Sequence, residues 1–88
     1  MSITEKQEHD EMIRTIQFFV ELEGKYSKDE MYSIIANAIA VHLCLSTKDG
    51  HEHDMLKLFN EWVDESFEDF LENKDKQKHS LISEIWSE

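Results

Sequence analysis

The sequence predicts an all-α protein, specifically a small antiparallel three-helix bundle with a short C-terminal fourth helical segment. Three observations support this. The 88 residues include no proline and only two glycines, so residues that break helices are almost absent. The chain is rich in Glu, Lys, Ile, Leu and Ala and poor in Val and Thr, which favours helix over sheet. Finally, apolar residues recur at helical spacing in segments joined by short connections, which favour antiparallel neighbours.

Residues 1–88 are expected to form a single helical domain. A chain of this size buries only about two thirds of the surface that its unfolded form exposes, so its stability is marginal. Cys44 is the single cysteine, which excludes an intrachain disulfide. Stability must therefore come from helix packing, from oligomerisation or from a metal ion.

The first helix is predicted over about residues 4–23. Either Ser2 with Glu5 or Thr4 with Gln7 fits a capping box at its start, in which each residue satisfies an unpaired backbone N–H group. Gly24 is the expected C-terminal cap, at a position where glycine accepts a positive φ at little cost.

The second helix is predicted over about residues 27–45, with Ser27 and Glu30 forming a further capping box. Its apolar residues point in nearly all directions, which is typical of a helix buried on several sides. We therefore expect it to be the central helix, and burying it fully is difficult without a second copy of the chain. Its candidate oligomer-interface residues, among which Asn37 would set the register, are Ile35, Asn37, Ala38, Ile39 and His42.

The third helix is predicted over about residues 52–72, after a turn at Asp49-Gly50. Its apolar residues are spaced 3, 4, 4 and 3 apart, which is clear amphipathic periodicity. They are Leu56, Phe59, Val63, Phe67 and Phe70.

A polar, lysine-rich connector is predicted over residues 73–79, followed by a short helix over 80–87 that begins at Ser80. Lys74, Lys76 and Lys78 of the connector are interpreted as solvated residues that compensate the dipole of the preceding helix. The last segment either closes the bundle, with Trp86 in the core, or docks on a partner.

The net charge of −11 restricts the classes of partner. Residues 1–72 contain 17 acidic and 6 basic residues, so they hold the whole of this charge. Such a surface repels nucleic acid and anionic membranes and attracts basic proteins. The N-terminal segment is polar and the longest apolar run, around residues 34–45, is too short to cross a bilayer. We therefore expect a soluble, cytoplasmic protein that contacts neither nucleic acid nor membrane directly.

The polar side of the third helix is the strongest functional feature. It holds seven acids opposed only by Lys57, and four of the like-charge pairs are spaced i,i+4. Such pairs and the helix dipole together cost about 1–2 kcal/mol at low salt. The face is either a solvated surface or a binding face that imitates the charge spacing of nucleic acid. Its residues are Asp54, Glu61, Asp64, Glu65, Glu68, Asp69 and Glu72.

Two further patterns contain residue types that can perform chemistry. His51 and His53 could ligate a metal ion such as Zn²⁺, but no second pair of ligands lies at a standard spacing. Cys44 with His42 and Asn37 resembles a nucleophilic set in composition only, because residues two apart on a helix point to different sides. Cys44 is better interpreted as a small buried apolar residue. We therefore expect no enzyme activity and no cofactor.

These observations favour a small acidic protein-binding module that occupies a basic surface of a protein or complex, for example a surface that binds nucleic acid. Inhibitors, immunity or antitoxin proteins, phage-encoded modulators and adaptors are of this class. One alternative is a structural homo-oligomer, a homodimer for example, built through residues 27–45. A minor alternative is a domain stabilised by metal at His51 and His53.

Overall fold

The computed structural model of the chain describes residues 2–86 and consists of helices and short connections. Its helices are α1 (Glu5–Glu23), α2 (Lys28–Ser46), α3 (Glu52–Glu72) and α4 (Lys74–Trp86). No strand occurs within residues 2–86, so the predicted all-α class is confirmed. The antiparallel bundle stays a prediction. Position 87, which was predicted to be helical, lies outside the described residues.

The start of α1 is fixed by a capping box formed by Thr4 and Gln7. The Thr4 N–H donates to Gln7 Oε1 at 2.9 Å, and the Gln7 N–H donates to Thr4 Oγ1 at 3.1 Å. At the other end Gly24 is the C-cap, but its φ is −72°. The expected positive φ is therefore wrong. The chain leaves α1 through a right-handed turn, in which the N–H of Tyr26 donates to Leu22 O at 2.9 Å.

The start of α2 is fixed in the same way by Ser27 and Glu30. The Ser27 N–H donates to Glu30 Oε1 at 3.0 Å, and the Glu30 N–H donates to Ser27 Oγ at 3.2 Å. The first of these bonds, supported by the Ser27 side chain, lowers the pKa of the Glu30 carboxyl, because it favours the charged form. Both predicted capping boxes are thus formed, one with a neutral acceptor and one with a charged acceptor.

The connection between α2 and α3 contains the predicted turn. Gly50 has a φ of +91°, which an L side chain rarely adopts, so glycine is required here for its backbone. The Gly50 N–H donates to Glu52 Oε1 at 2.8 Å, and α3 begins directly afterwards. The predicted and observed bounds of α3 are the same.

The fourth helix differs from its prediction. Residues 74–79 were expected to be a connector and Ser80 a cap, but α4 begins at Lys74 and Ser80 lies within it. Lys and Gln, which make up four of the six residues from 74 to 79, are good helix formers, and no Gly or Pro interrupts the segment. Asn73 alone separates α3 from α4, and its Nδ2 donates to Asp69 O at 3.1 Å.

The chain divides into two compact units. One comprises the described residues up to Met31 together with those from Asp75 onward, and the other is Tyr32–Lys74. In the first unit α4 is bonded to α1: Gln17 Nε2 donates to Ile85 O at 3.2 Å, and His9 Nε2 lies 2.6 Å from Glu84 Oε2. Ile13 and Met31, the buried residues of the described chain, belong to this unit. Trp86 is 58% exposed, so it is not a core residue.

The second unit contains most of α2 and all of α3, and none of its residues is buried. Half-buried side chains follow one side of α2, at Ile35, Ile39 and Leu43, and one side of α3, at Met55 and Phe59. These sides mark where the two helices pack within the unit. The expectation that α2 is buried on several sides is wrong for a single chain, because from residue 32 to residue 46 only the side with Ile35, Ile39 and Leu43 is half-buried.

Candidate protein-binding face

Helix α3 separates its apolar and acidic residues onto opposite sides. At 100° per residue, the half-buried Met55 and Phe59 and the exposed Val63 fall within one arc of the helix, and Glu61 and Glu68 lie on the opposite arc. The charges are therefore turned away from the side that packs on α2. The acidic face, named here from its seven predicted residues, follows the α3 surface from Asp54 to Glu72.

All seven residues of the acidic face are exposed, in agreement with their predicted position. Asp54 Oδ2 lies 3.7 Å from His51 Nδ1, a long contact between two exposed side chains. Glu61, Glu65 and Glu68 have no basic side chain within ion-pair distance in residues 2–86. Lys57, one turn before Glu61, forms no ion pair with it. Asp64, Glu65, Glu68 and Asp69 line a shallow depression that is open to solvent.

Exposed apolar side chains flank the acidic face. Trp62 is 53% exposed, Phe67 is 61% exposed and Leu71 is 51% exposed. By helical position Trp62 borders the acids on one side, and Phe67 and Leu71 border them on the other. An acidic surface edged by large apolar side chains has the two components that a charged interface uses, because charge raises the rate of encounter and apolar contact supplies affinity.

The predicted oligomer-interface residues of α2 do not share one environment. Ile35 and Ile39 are half-buried, on the side of α2 that packs within its own unit. Asn37, Ala38 and His42 are exposed, so they are free to contact another molecule. Asn37 is thus a surface residue and does not set a register inside the chain.

The histidine pair at the start of α3 has no third metal ligand among residues 2–86. Within residues 2–86, no group of three or more His, Cys, Asp and Glu side chains is arranged to hold a metal ion. His51 is the N-cap residue of α3 but makes no capping hydrogen bond with its side chain. The metal hypothesis for His51 and His53 therefore has no supporting geometry in the part of the chain that the structure describes.

Cys44 is exposed, so the prediction that it is buried is wrong. The cause is the same as for the rest of α2, which a single chain covers on one side. His42 contacts Ser46, whose Oγ donates to the His42 carbonyl oxygen at 2.7 Å and lies 3.5 Å from His42 Nδ1. No hydrogen bond of the described residues joins His42 to Cys44.

Two features were missed at the level of sequence. The contacts of His9 and Gln17 with α4 join positions 67 to 75 residues apart, and no local pattern indicates such a pairing. The exposed apolar residues Ile34, Val41 and Leu45 of α2 were assigned to a helix apolar all round. The spacing of Ile34, Val41 and Leu45 differs in phase from that of Ile35 and Ile39. This difference indicates a second apolar side of α2, separate from the side that packs within the unit.

Comparison with known proteins gives no relative. No protein-family model matches the chain, and no curated protein or solved structure is significantly similar to it. No helix within residues 2–86 combines the length and apolar character needed to cross a membrane.

Proposed function

We propose that the chain is a protein-binding module that acts by occupying a basic surface of another protein or complex, and that it does so through the acidic face of α3. The observation that supports this most is the absence of ion-pair partners at Glu61, Glu65 and Glu68 within the described residues. The wider scaffold in this proposal is the predicted antiparallel arrangement of α1, α2 and α3.

The energetics of α3 favour binding over simple solvation. Like charges at i,i+4 destabilise a helix by roughly 0.2–0.5 kcal/mol per pair, and acids near its C-terminus oppose the dipole. Alternating Glu and Lys would keep the surface soluble without this cost. A basic partner would neutralise the carboxylates of α3 and so remove their mutual repulsion. The free energy gained in this way would add to the affinity of the complex.

The mechanism is electrostatic steering followed by apolar contact. The acidic face accelerates the encounter with a basic surface, and Trp62, Phe67 and Leu71 supply affinity at its edges. If the basic surface of the partner normally binds nucleic acid, the chain acts as a competitor for that surface. Inhibition, modulation or adaptation by binding is the proposed activity, and catalysis is not.

To test the proposal, the chain is immobilised and exposed to a lysate of its own cells at low and at moderate salt. The proteins that it retains are identified by mass spectrometry. One basic protein or complex is expected, with retention that falls as salt rises. The variant Glu61→Gln, Glu65→Gln, Glu68→Gln should lose this partner while its helix content, measured by circular dichroism, stays equal or increases.

A matched control variant distinguishes an effect of the acidic face from an effect of the net charge of the chain. The variant Glu8→Gln, Glu21→Gln, Glu23→Gln changes the same number of exposed charges on α1. It should retain the partner. Equal retention of the partner by the α3 variant and the wild type would refute the acidic face as the binding site.

A second candidate function is a structural homo-oligomer built through α2. The exposure of Val41, at 56%, and of Leu45, at 81%, favours it, since these residues have no cover in the single chain. This function needs only further copies of the same chain and no partner of another kind. A chain that is monomeric at tens of micromolar would eliminate it and leave the binding module unaffected.

A further inference from the structure

An exposed apolar seam follows α2. We use the name α2 seam for Ile34, Ala38, Val41 and Leu45, which are spaced 4, 3 and 4 residues apart. This is the spacing of consecutive core positions in a coiled coil. Ile34 is 42% exposed, and Val41 and Leu45 are more exposed still. At 100° per residue the seam lies about 130° from Ile35, Ile39 and Leu43, so it is distinct from the side that packs within the unit.

The α2 seam is in the uncharged part of an acidic chain. From residue 31 to residue 46 the sequence has no Asp, Glu, Lys or Arg, although the net charge is −11. The positions beside the seam include the exposed Asn37 and His42. A basic partner finds no carboxylate here, whereas a second copy of the chain can approach with no like charges opposed.

The apolar side of α3 is less suited to a second copy. Phe67 and Leu71 lie next to Asp64 on the helical wheel, so two copies that met along them would bring carboxylates together. Like charges placed opposite each other in an interface oppose association. The apolar residues that flank the acidic face of α3 therefore suit a basic partner, and the α2 seam suits a second copy of the chain.

The burial within the chain also indicates a missing apolar contact. Only Ile13 and Met31 are buried among residues 2–86, and the unit that contains the seam has no buried residue. Oligomerisation is one of the usual ways in which a small domain gains the burial that it lacks. A standard interface buries roughly 800 Å² on each partner and involves about 20–30 residues a side. The seam has only four residues, so we expect the dimer to be weak and reversible.

We propose that the α2 seam binds the α2 seam of a second copy, giving a two-fold symmetric dimer. A self-complementary patch is what such an interface requires, and dimers of this symmetry are the commonest oligomers. Ala38 and Val41 lie at the middle of the seam, so they face the partner in parallel or antiparallel pairing. The small Ala38 side chain allows the helices to approach closely. This dimer does not depend on binding by the acidic face.

The first test is sedimentation equilibrium of the full chain with a matched pair of variants. The wild type should dimerise reversibly in the micromolar range. Val41→Glu should weaken the dimer by at least about tenfold, because it buries an unpaired carboxylate in the interface. Phe18→Glu on α1 adds the same charge at a position of nearly equal exposure, 55% against 56% for Val41, and should leave the dimer unchanged. A wild-type chain that is monomeric at a hundred micromolar would overturn the proposal.

The second test avoids any variant that places a charge in the seam. In a Cys44→Ser background, Ala38→Cys is compared with Ala36→Cys, using a short bis-maleimide linker. Both alanines are exposed, but Ala36 lies on the opposite side of the helix. The Ala38→Cys chain should cross-link to a dimer, and the Ala36→Cys chain should not. Equal cross-linking of the two would show that the seam does not face the second copy.

Discussion

At the scale of single residues, the two capping boxes differ in one chemical respect. Gln7 is the neutral acceptor at the start of α1, and Glu30 is the charged acceptor at the start of α2. Because the hydrogen bond from the Ser27 N–H favours the carboxylate, the pKa of Glu30 is below its ordinary value in the folded chain. Folding is therefore linked to the ionisation of Glu30.

The sign of this linkage follows from the lowered pKa. Glu30 contributes stability at pH values above its unfolded-state pKa, and the contribution is lost as the pH falls through its folded-state pKa. Glu30→Gln keeps an acceptor in the box but removes the charge, as in the box of α1. The difference in unfolding free energy between wild type and variant should thus be largest near neutral pH and shrink in acid. Urea unfolding across the acid range measures it.

A comparison with Glu8 gives the control for this prediction. Glu8 is also an exposed glutamate in the first turns of a helix, but no side-chain hydrogen bond is formed by it within residues 2–86. Glu8→Gln should show a weaker change of stability with pH than Glu30→Gln. A pH dependence of the same size in both would contradict the linkage through the capping box.

At the scale of secondary-structure elements, local chemistry determined how well each helix could be predicted. The bounds of α3 match because an Asp-Gly turn and a change to polar residues mark its ends. The prediction of a connector over residues 73–79 is wrong for the lysine-rich segment, which belongs to α4. Charge alone does not end a helix, and Lys74 to His79 contains no residue that does.

The helical state of this segment gives a prediction. Lys78→Gly should lower the unfolding free energy by about 1 kcal/mol, because glycine loses more backbone entropy in a helix interior. Lys48→Gly is the matched control, since Lys48 lies in the connection between α2 and α3 and is not helical. It should change stability little. If both substitutions were equally tolerated, residues 74–79 would be a connector after all.

At the scale of the whole molecule, burial was the property that the sequence predicted least well. Amphipathic spacing correctly indicated which side of α3 is apolar and where its acids lie. It could not indicate that Cys44 and Trp86 are exposed, because exposure depends on which other segments cover a helix. Contacts over 60 residues or more, such as those of Gln17 with α4, leave no periodic trace in either segment.

The two proposed interactions should respond to salt in opposite directions. Binding through the acidic face is an attraction between unlike charges, which salt weakens as the screening length falls to about 8 Å at physiological ionic strength. Dimerisation through the α2 seam brings together two chains of charge −11, and salt weakens their general repulsion. Raising the salt concentration should therefore tighten the dimer and loosen the complex with the basic partner.

Sedimentation and partner-binding titrations over the same salt series measure this prediction. The acidic-face variant Glu61→Gln, Glu65→Gln, Glu68→Gln provides the control, because it reduces both charge effects. Its dimer should depend less on salt than the wild-type dimer. A wild-type dimer that dissociated as salt rose would be held by ion pairs, and the uncharged α2 seam would then be the wrong interface.

Glycine is required at position 50 because of its positive φ, and not because a side chain would lack space there. Its φ of +91° strains any L residue, yet a Cβ atom placed there would meet nothing within 4 Å. A D-amino acid adopts this backbone conformation readily. In a chemically synthesised chain, this position would accept a D-lysine that holds a fluorophore or an affinity tag. The turn is thus a natural attachment point for reporters that leave both the acidic face and the α2 seam unmodified.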